Sequence, residues 1–339
     1  MSSADIQNTE HADVIPAKFL VIRFSSIGDI VLTSPVFRHI KNQIPNSTVH
    51  FLTKDKFAAI NEANPYIDKT HVLTKGNMNE LLHVLKEEKY DYIIDLHHNL
   101  RTSRVKSALR IMPFSFDKLN WQKWLMVNLK INRLPNKHIV DRYLNTLQAF
   151  GVENDGEGLD YFIPKKDELD LSRYAWGNAP YIALVLGATY FTKRMPTEKI
   201  IGICKQIDKP VVLLGGPDET EMGKQVANAA GAHVYNMCGS LNLHQSAWVL
   251  KHALAVISHD TGLMHIAAAL RKPIASLWGN TIPEFGMTPY MPHEKSRIFE
   301  VKNLKCRPCS KLGYKQCPKK HFRCMNEIDS TAIVQFCKQ

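Results

Sequence analysis

Strand-like and helix-like segments alternate along almost the whole chain, and this alternation limits the fold more than any other feature of the sequence. Strands that alternate with helices of about 10–15 residues indicate βαβ units and a parallel sheet. The strand-like runs of the first half are residues 18–24, 48–53, 71–74 and 90–96, and those of the second half are residues 181–186, 211–214, 233–235, 255–258 and 274–278. The chain therefore contains two successive blocks of the same α/β type.

A polar, glycine-rich stretch, VENDGEGLD over residues 152–160, separates the two blocks. We therefore predict two Rossmann-like domains that face a central cleft, with ligands bound beyond the carboxyl ends of the strands. The predicted parts are a flexible tail over residues 1–17, an N-terminal domain over 18–165, a C-terminal domain over 166–325 and a final helix over 326–339.

The charge balance indicates the kind of partner. The net charge of +11 and the pI of about 9.2 favour anionic partners such as phosphates, nucleic acid or an acidic membrane face. No run approaches the roughly 18 apolar residues of a transmembrane helix, and the polar N-terminus lacks the features of a secretory signal. The seven cysteines are an odd number, and we expect a cytoplasmic protein with reduced thiols.

A turn of small residues with one carboxylate follows the first strand. In SSIGDI, residues 25–30, Asp29 comes directly after Gly28, which allows the backbone to turn tightly or to approach a ligand. Asp29 is either a functional carboxylate or merely the cap of a helix. The G-x-G-x-x-G fingerprint is absent from the chain, which argues against an NAD enzyme.

A second turn of this kind, Asp260-Thr261-Gly262, joins a strand to an alanine-rich helix. The free N–H groups and the positive dipole end of such a helix predict a phosphate site. His265 lies in the first helical turn, where its ring can hydrogen-bond a ligand oxygen. The alternative is an ordinary capped helix whose His265 faces solvent or its own domain.

Two further strand ends carry groups suited to a nucleotide. Thr189 and Lys193 follow the first strand of the second block, and an ammonium group there can neutralise a diphosphate. The alternative is a solvated basic loop. Glu219 follows a Gly-Gly turn after the next strand, and it either complements the dipole of a helix or binds ribose hydroxyls.

Four cysteines lie close together near the end of the chain. Cys306, Cys309, Cys317 and Cys324 have the spacing C-x2-C-x7-C-x6-C, and His321 lies among them. The first pair has a spacing compatible with zinc, but the later gaps do not match a common zinc finger. A zinc site, partly buried free thiols and an adventitious disulfide all stay open.

Residues 118–137 are rich in lysine and tryptophan. One helix face there comprises Trp121, Trp124, Leu125 and Leu129. The pattern predicts either a stripe that faces the core or a contact with an anionic membrane face, where Trp and Lys are both favoured. Just upstream, Arg101 and Arg104 suit a phosphorylated acceptor.

Taken together, these segments resemble glycosyltransferase family 9, the lipopolysaccharide heptosyltransferases. The resemblance runs from Lys18 to about Ile328 and depends on SSIGDIVLTSP, DTGLMHIAAAL, PIASLWGNT and the cysteine loop that ends in CMNEI. It implies a GT-B architecture, with the acceptor on the N-terminal domain and the nucleotide sugar on the C-terminal one. It also implies inverting transfer without a catalytic metal or other cofactor, and the chain agrees in having no D-x-D motif. The final helix is expected to pack back onto the N-terminal domain.

The resemblance also implies roles for individual residues. Asp29 matches the proposed catalytic base, which accepts the proton of the acceptor hydroxyl in a single displacement. The implied donor-binding residues are Thr189, Lys193, Glu219, Asp260, Thr261, Gly262 and His265. Among these, Lys193 and the N–H groups of Thr261 and Gly262 would stabilise charge on the leaving diphosphate. Arg101 and Arg104 are expected on the acceptor side.

The expected reaction moves a heptose from ADP-heptose onto a lipopolysaccharide core precursor. This acceptor is an anionic glycolipid at the inner face of the cytoplasmic membrane, so we expect peripheral attachment there and no nucleic-acid partner. A related transferase that uses another nucleotide sugar and acceptor is the alternative. A zinc-bearing, basic nucleic-acid-binding protein is more remote, because it leaves the turns at Asp29 and Asp260 unexplained.

Overall fold

The first half of the chain forms a sheet of five parallel strands in the computed structural model, which describes residues 16–177 and 179–338. The strands are β1 (Lys18–Ile22), β2 (Thr48–Lys54), β3 (Lys69–Leu73), β4 (Tyr92–Asp95) and β5 (Met112–Ser115), and their order is β3-β2-β1-β4-β5. The helices are α1 (Ile27–Val31), α2 (Ser34–Gln43), α3 (Met78–Glu87), α4 (Leu100–Leu109), α5 (Asn120–Asn128) and α6 (Ile139–Leu144). The central strands are apolar and buried, as expected where helices cover both faces of a parallel sheet.

The second half forms a sheet of six parallel strands. These are β6 (Ile182–Val185), β7 (Val211–Leu214), β8 (Val234–Asn236), β9 (Ala255–His259), β10 (Ile274–Trp278) and β11 (Arg297–Glu300), in the order β11-β10-β9-β6-β7-β8. The helices are α7 (Thr197–Cys204), α8 (Thr220–Ala230), α9 (Leu243–His252), α10 (Gly262–Ala269), α11 (Arg323–Asn326) and α12 (Ser330–Cys337). The predicted architecture of two parallel α/β sheets is confirmed.

The direction of chain progression reverses once in each sheet, between β1 and β4 in the first and between β6 and β9 in the second. Such a switch point opens a crevice at the carboxyl ends of the strands, where α/β proteins bind their ligands. The turn with Asp29 follows β1, the turn with Lys193 follows β6 and the turn with Asp260 follows β9. The polar turns that the sequence pointed to therefore lie at the switch points.

The two sheets meet where α1 packs against α10. Two glycines lie at this contact. A methyl group on Gly28 would lie 2.6 Å from Cδ2 of His265, and one on Gly262 would lie 2.7 Å from Cγ2 of Ile27. Because both distances are far below van der Waals contact, only residues without a side chain allow the helices to approach this closely.

The predicted linker is held against the first domain. Arg38 of α2 is buried, and its Nε lies 2.7 Å from Oδ2 of Asp155; it also pairs with Asp160. The domain boundaries stay a prediction. The predicted tail, residues 1–17, lies almost entirely outside the described residues.

The final helix α12 packs on the second domain and not, as expected, on the first. Its apolar side chains share a buried cluster with Ile200 and Ile203 of α7. The Lys199 ammonium donates to the carbonyl of Asn326 at 2.7 Å and to that of Ile328. The apolar face of α12 already packs against α7. The helix therefore has no further apolar surface to bury against the first domain.

Helix α5 contradicts the interpretation as a stripe that faces the core. None of its residues is buried, and Trp121 and Trp124 are 65% and 47% exposed. Their rings stack with centroids 5.2 Å apart and planes 6° apart. The physical reason is that β5 is a short edge strand with mostly exposed residues, so no second apolar layer covers α5. Within the ranges that the structure describes, no helix has the length and apolar content needed to cross a bilayer.

Substitution of Gly28 tests the contact between α1 and α10. We expect Gly28→Ala to lower the free energy of unfolding by about 1–3 kcal/mol, the usual cost of overpacking a buried site. The matched control is Gly202→Ala in α7, where an added methyl group meets no atom within 4 Å. The control should raise stability by about 0.5–1 kcal/mol because a glycine is removed from a helix. Urea unfolding measures both, and equal stability of Gly28→Ala and wild type would contradict the contact.

Candidate active site

The Asp29 carboxylate is fixed by three donors at the start of α1. Its Oδ2 accepts the backbone N–H of Ser26 at 2.9 Å and the Ser26 hydroxyl at 2.8 Å. Its Oδ1 lies 2.6 Å from Nη2 of Arg23. The side chain is 19% exposed, so the oriented carboxylate still reaches solvent. The interpretation of Asp29 as a cap is correct for its bond to the Ser26 N–H, but the carboxylate also pairs with Arg23 and keeps part of its surface exposed.

Arg23 ties this carboxylate to the core of the first domain. The buried guanidinium also donates to the carbonyls of Ser25 and Leu96 and to the Tyr143 hydroxyl at 2.8 Å. Burial opposes ionisation of Asp29, but the Arg23 charge and the two Ser26 hydrogen bonds outweigh it and hold the pKa of Asp29 below its usual range. Asp29 is therefore ionised at neutral pH.

His265 connects the two halves of the site. Its ring is buried against Gly28 of the first domain, which contradicts the alternative that it faces solvent or its own domain. Burial lowers its pKa to about 4, against the opposing charges of Asp260 and Asp29. The imidazole is therefore neutral at physiological pH. Its Nδ1 is buried without a partner among the described residues.

Asp260 and Lys193 form an ion pair on the second domain. Nζ of Lys193 lies 2.5 Å from Oδ2 of Asp260, which also accepts the Thr281 hydroxyl at 3.1 Å. The pair lies beside the start of α10, whose cap residue Thr261 accepts no hydrogen bond from the helix through its side chain. The structure thus brings together Lys193, Asp260, Thr261 and Gly262, as the sequence predicted, and it contradicts the interpretation of Lys193 as part of a solvated loop.

The Glu219 carboxylate is held by two partners. One oxygen accepts the Gly216 N–H at 2.9 Å, and the other lies 3.2 Å from Nη2 of Arg194. Arg194 in turn donates to the Ala188 carbonyl at 2.7 Å. The carboxylate therefore braces the loop after β6, and ribose binding stays a prediction. Thr189, in the same loop, is exposed.

The two arginines predicted on the acceptor side do not act as a pair. Arg101 is exposed in the first turn of α4. Arg104 donates to Oδ1 of Asn79 on α3 at 2.6 Å, so it bridges two helices of the first domain. Their role in acceptor binding stays a prediction.

Two half-buried lysines near Asp29 belong to the lysine- and tryptophan-rich segment, but the sequence did not predict their position beside this carboxylate. The charge of Asp29 acts on Lys118 and Lys123, and neither ammonium forms an ion pair or hydrogen bond with the described residues. Burial, followed by repulsion from Arg142, lowers the pKa of Lys123 to about 8. Lys311, from the cysteine loop of the second domain, repels both lysines. Such a group of cations without a direct ion-pair partner among the described residues is suited to an anionic ligand.

The sequence contained a partial signal for these lysines. Lys123 lies between Trp121 and Trp124 in a helix, so its side chain must leave the helix on another face. Which of the two faces turns toward Asp29 depends on how α5 sits against the rest of the first domain. No local pattern gives that placement.

The cysteine loop forms a wall of the second domain beside the loop after β6. The Tyr314 N–H donates to the Thr192 hydroxyl at 2.8 Å, and Lys130 reaches from the first domain to the Pro308 carbonyl at 2.6 Å. All seven cysteines are free thiols, so the alternative of a disulfide is not realised in this structure. Sγ of Cys306 lies 3.7 Å from Nε2 of His321. Zinc binding by the loop stays open.

Comparison with known proteins shows which family model and which relatives this chain matches. The family model described as "Glycosyltransferase family 9 (heptosyltransferase)" matches residues 78–321. The lipopolysaccharide heptosyltransferase 2 of Salmonella typhimurium is 26% identical over 316 residues, which cover 84% of this chain and 88% of that protein. The span of the family model includes the predicted donor-binding residues and begins after Asp29.

Two solved structures resemble the whole fold. The glycosyl transferase family 9 protein of Veillonella parvula gives a TM-score of 0.76 at 22% identity and covers 95% of this chain and 96% of its own. The ADP-heptose LPS heptosyltransferase II of E. coli gives a TM-score of 0.71 at 20% identity, with 95% and 97% coverage. These similarities confirm the GT-B fold that the sequence predicted.

Proposed function

The chain belongs to glycosyltransferase family 9, and from that premise we propose that it transfers a heptose from ADP-heptose to a lipopolysaccharide core precursor. The names of its relatives support the donor and the acceptor. The observation that carries the proposal is the position of Asp29. An ionised, oriented carboxylate on the first domain lies at the contact with α10 of the second, where the chain opens a helix N-terminus suited to phosphate.

We propose that Asp29 is the general base of a single, inverting displacement. The acceptor hydroxyl attacks the anomeric carbon, its proton passes to the Asp29 carboxylate and the bond from the sugar to the diphosphate breaks. The Arg23 charge makes Asp29 a weaker base than a free carboxylate, so the proton moves as the attack develops. Ser26 and Arg23 fix the carboxylate, which reduces the reorganisation needed at that moment.

The groups around α10 would stabilise the leaving diphosphate. The N–H groups of Thr261 and Gly262 lie at the helix N-terminus, where negative charge is favoured. Lys193 is the nearby cation, and a diphosphate would compete with Asp260 for it. We propose that these groups, rather than a metal ion, meet the charge that develops on the donor. The neutral His265 can hydrogen-bond the donor through a ring nitrogen.

The acceptor would bind on the first domain beside the lysines. Lys118 and Lys123 supply positive charge near Asp29 without a carboxylate partner among the described residues, and phosphate or sugar carboxylate groups of a core precursor can provide one. The stacked pair Trp121 and Trp124 lies exposed on α5, the helix that also carries Lys123. We propose that this pair enters the inner membrane face while the lysines hold the headgroup.

The first test measures ADP release from ADP-heptose with a deacylated core acceptor. We expect Asp29→Asn to slow acceptor-dependent release by about 10²–10⁴-fold, the usual contribution of a positioned base. ADP binding, measured by calorimetry, should not change. The control is Asp208→Asn, whose side chain is 71% exposed.

Because Asp29→Asn also removes the partner of Arg23, its stability is measured by urea unfolding. Ser26→Ala, which removes only one hydrogen bond to Asp29, serves as the milder variant. Full activity of Asp29→Asn would refute its role as the base. Binding of UDP in place of ADP would leave the fold and family intact but replace ADP-heptose with another donor.

Lys123 gives a prediction about pH. Its pKa of about 8 means that the ammonium is charged below that pH and neutral above it. We expect the KM for the acceptor to rise as the pH increases through about 8, and this rise should be absent in Lys123→Met. At pH 7 the variant should raise the KM by about 10–100-fold, since a hydrogen bond to a charged group contributes about 1.5–3 kcal/mol. The exposed Lys86→Met is the control, and a change in kcat alone would contradict acceptor binding.

The tryptophan pair gives a prediction about membranes. We expect Trp121→Ala with Trp124→Ala to reduce co-sedimentation with anionic liposomes and to leave turnover of a deacylated acceptor unchanged. Leu254→Ala is the control. Leu254 is also an exposed apolar residue, but it lies in the second domain, at the amino end of β9. Unchanged co-sedimentation of the double variant would count against membrane attachment through α5.

A further inference from the structure

A compact group of metal-ligating side chains lies at the amino edge of the first sheet. His50 of β2 and His71 of β3 are both buried and project to the face covered by α3. Glu88 directly follows α3, and Tyr90 lies two residues before the start of β4. This edge is opposite to the carboxyl edge that carries Asp29, so the group belongs to no part of the proposed active site.

The potential ligand atoms converge on one small volume. Nδ1 of His50 and Nε2 of His71 are 3.2 Å apart, and oxygens of Glu88 lie 3.8 Å and 3.9 Å from these two nitrogens. A tetrahedral zinc ion with bonds of about 2.0–2.1 Å holds its ligand atoms roughly 3.3 Å apart. The separations of the two nitrogens from each other and from the Glu88 carboxylate, 3.2–3.9 Å, are therefore close to those in such a coordination shell. Among the described residues, this is the one group of three such side chains whose ligand atoms lie within 4.8 Å of one another.

A hydrogen-bond chain through the Tyr90 hydroxyl links the two imidazoles in the structure. The Tyr90 hydroxyl lies 2.9 Å from Nδ1 of His50 and 2.8 Å from Nε2 of His71. Each of the three atoms is thus within hydrogen-bond distance of the other two. The hydroxyl can donate to one ring nitrogen and accept the N–H of the other, so the three atoms satisfy one another without an ion. A cation would replace this chain by binding one lone pair of each ring.

Two lysines compete for the carboxylate. Nζ of Lys18 and of Lys69 each lie 2.5 Å from an oxygen of Glu88. Lys69 is 52% exposed, so its side chain can turn into solvent when an ion binds. The carboxyl end of α3 also directs its negative dipole end toward this group, which favours additional positive charge there.

We propose that His50, His71 and Glu88 form a structural site for one divalent transition-metal ion, with zinc as the representative ion. Two imidazoles and one carboxylate suit an ion of this class better than calcium or magnesium, which prefer oxygen ligands. The ion would join β2, β3 and the connection from α3 to β4 at one edge of the sheet. It takes no part in sugar transfer.

The test uses the full-length chain, stripped of metal with a chelator and titrated with Co²⁺ and then Zn²⁺. Because the cysteine loop is a second candidate, the parent protein for this test carries Cys306→Ser and Cys309→Ser. We expect this parent to bind one equivalent, without the thiolate-to-cobalt absorption that cysteine ligation produces. In the same background, His71→Gln should weaken Zn²⁺ binding by more than about 100-fold, since losing even an outer-shell partner costs 10–100-fold.

His83→Gln is the matched control, because His83 lies on α3 and its side chain is 78% exposed. It should bind as the parent does. Glu88→Gln provides a second variant if His71→Gln fails to fold: Zn²⁺ should raise the melting temperature of the parent but not of Glu88→Gln. A folded parent that binds no metal, or a His71→Gln variant that binds as tightly as the parent, would overturn the proposal. Since the readout is metal binding, neither result bears on the proposed transfer reaction.

Discussion

The contact between α1 and α10 sets how the two halves of the candidate site lie relative to each other. The two helices follow strands of different sheets, and Gly28 and Gly262 let their first turns approach without intervening side chains. Each sheet by itself offers only half of the candidate site: the first a carboxylate, the second a helix N-terminus with Lys193. The tight approach places His265 against Gly28 and joins the halves into one crevice.

Arg23 makes the proposed base part of the core of its domain. A buried guanidinium without a counter-charge would destabilise the fold. Asp29 therefore stabilises the buried Arg23, and Arg23 in turn orients the Asp29 carboxylate. The same side chain bonds Tyr143 of α6 and the carbonyl after β4, which are far apart in the sequence. Stability and the basicity of Asp29 are therefore set by one guanidinium, and substitution of Arg23 would change both together.

The sequence predicted the parts of the fold and site that depend on local chemistry. The alternation of elements, the turn at Asp29 and the turn at Asp260 each follow from a few neighbouring residues. The sequence did not predict which segments that are distant in the chain pack against each other. The apolar face of α12 fitted either domain, and only α7 shows which one covers it. His50 and His71 likewise come together only through the pairing of β2 with β3, which no local spacing reveals.

The position of α12 has a mechanical consequence. Because the final helix stays on the second domain, the described chain passes from the first sheet to the second only once, between β5 and β6. Among the described residues, no segment after β6 joins the first sheet again. The angle between the halves is then governed by noncovalent surfaces such as α1 on α10 and the reach of Lys130 to Pro308. Two separate polypeptides, divided in that single crossing, would contain all the surfaces needed to assemble the same crevice.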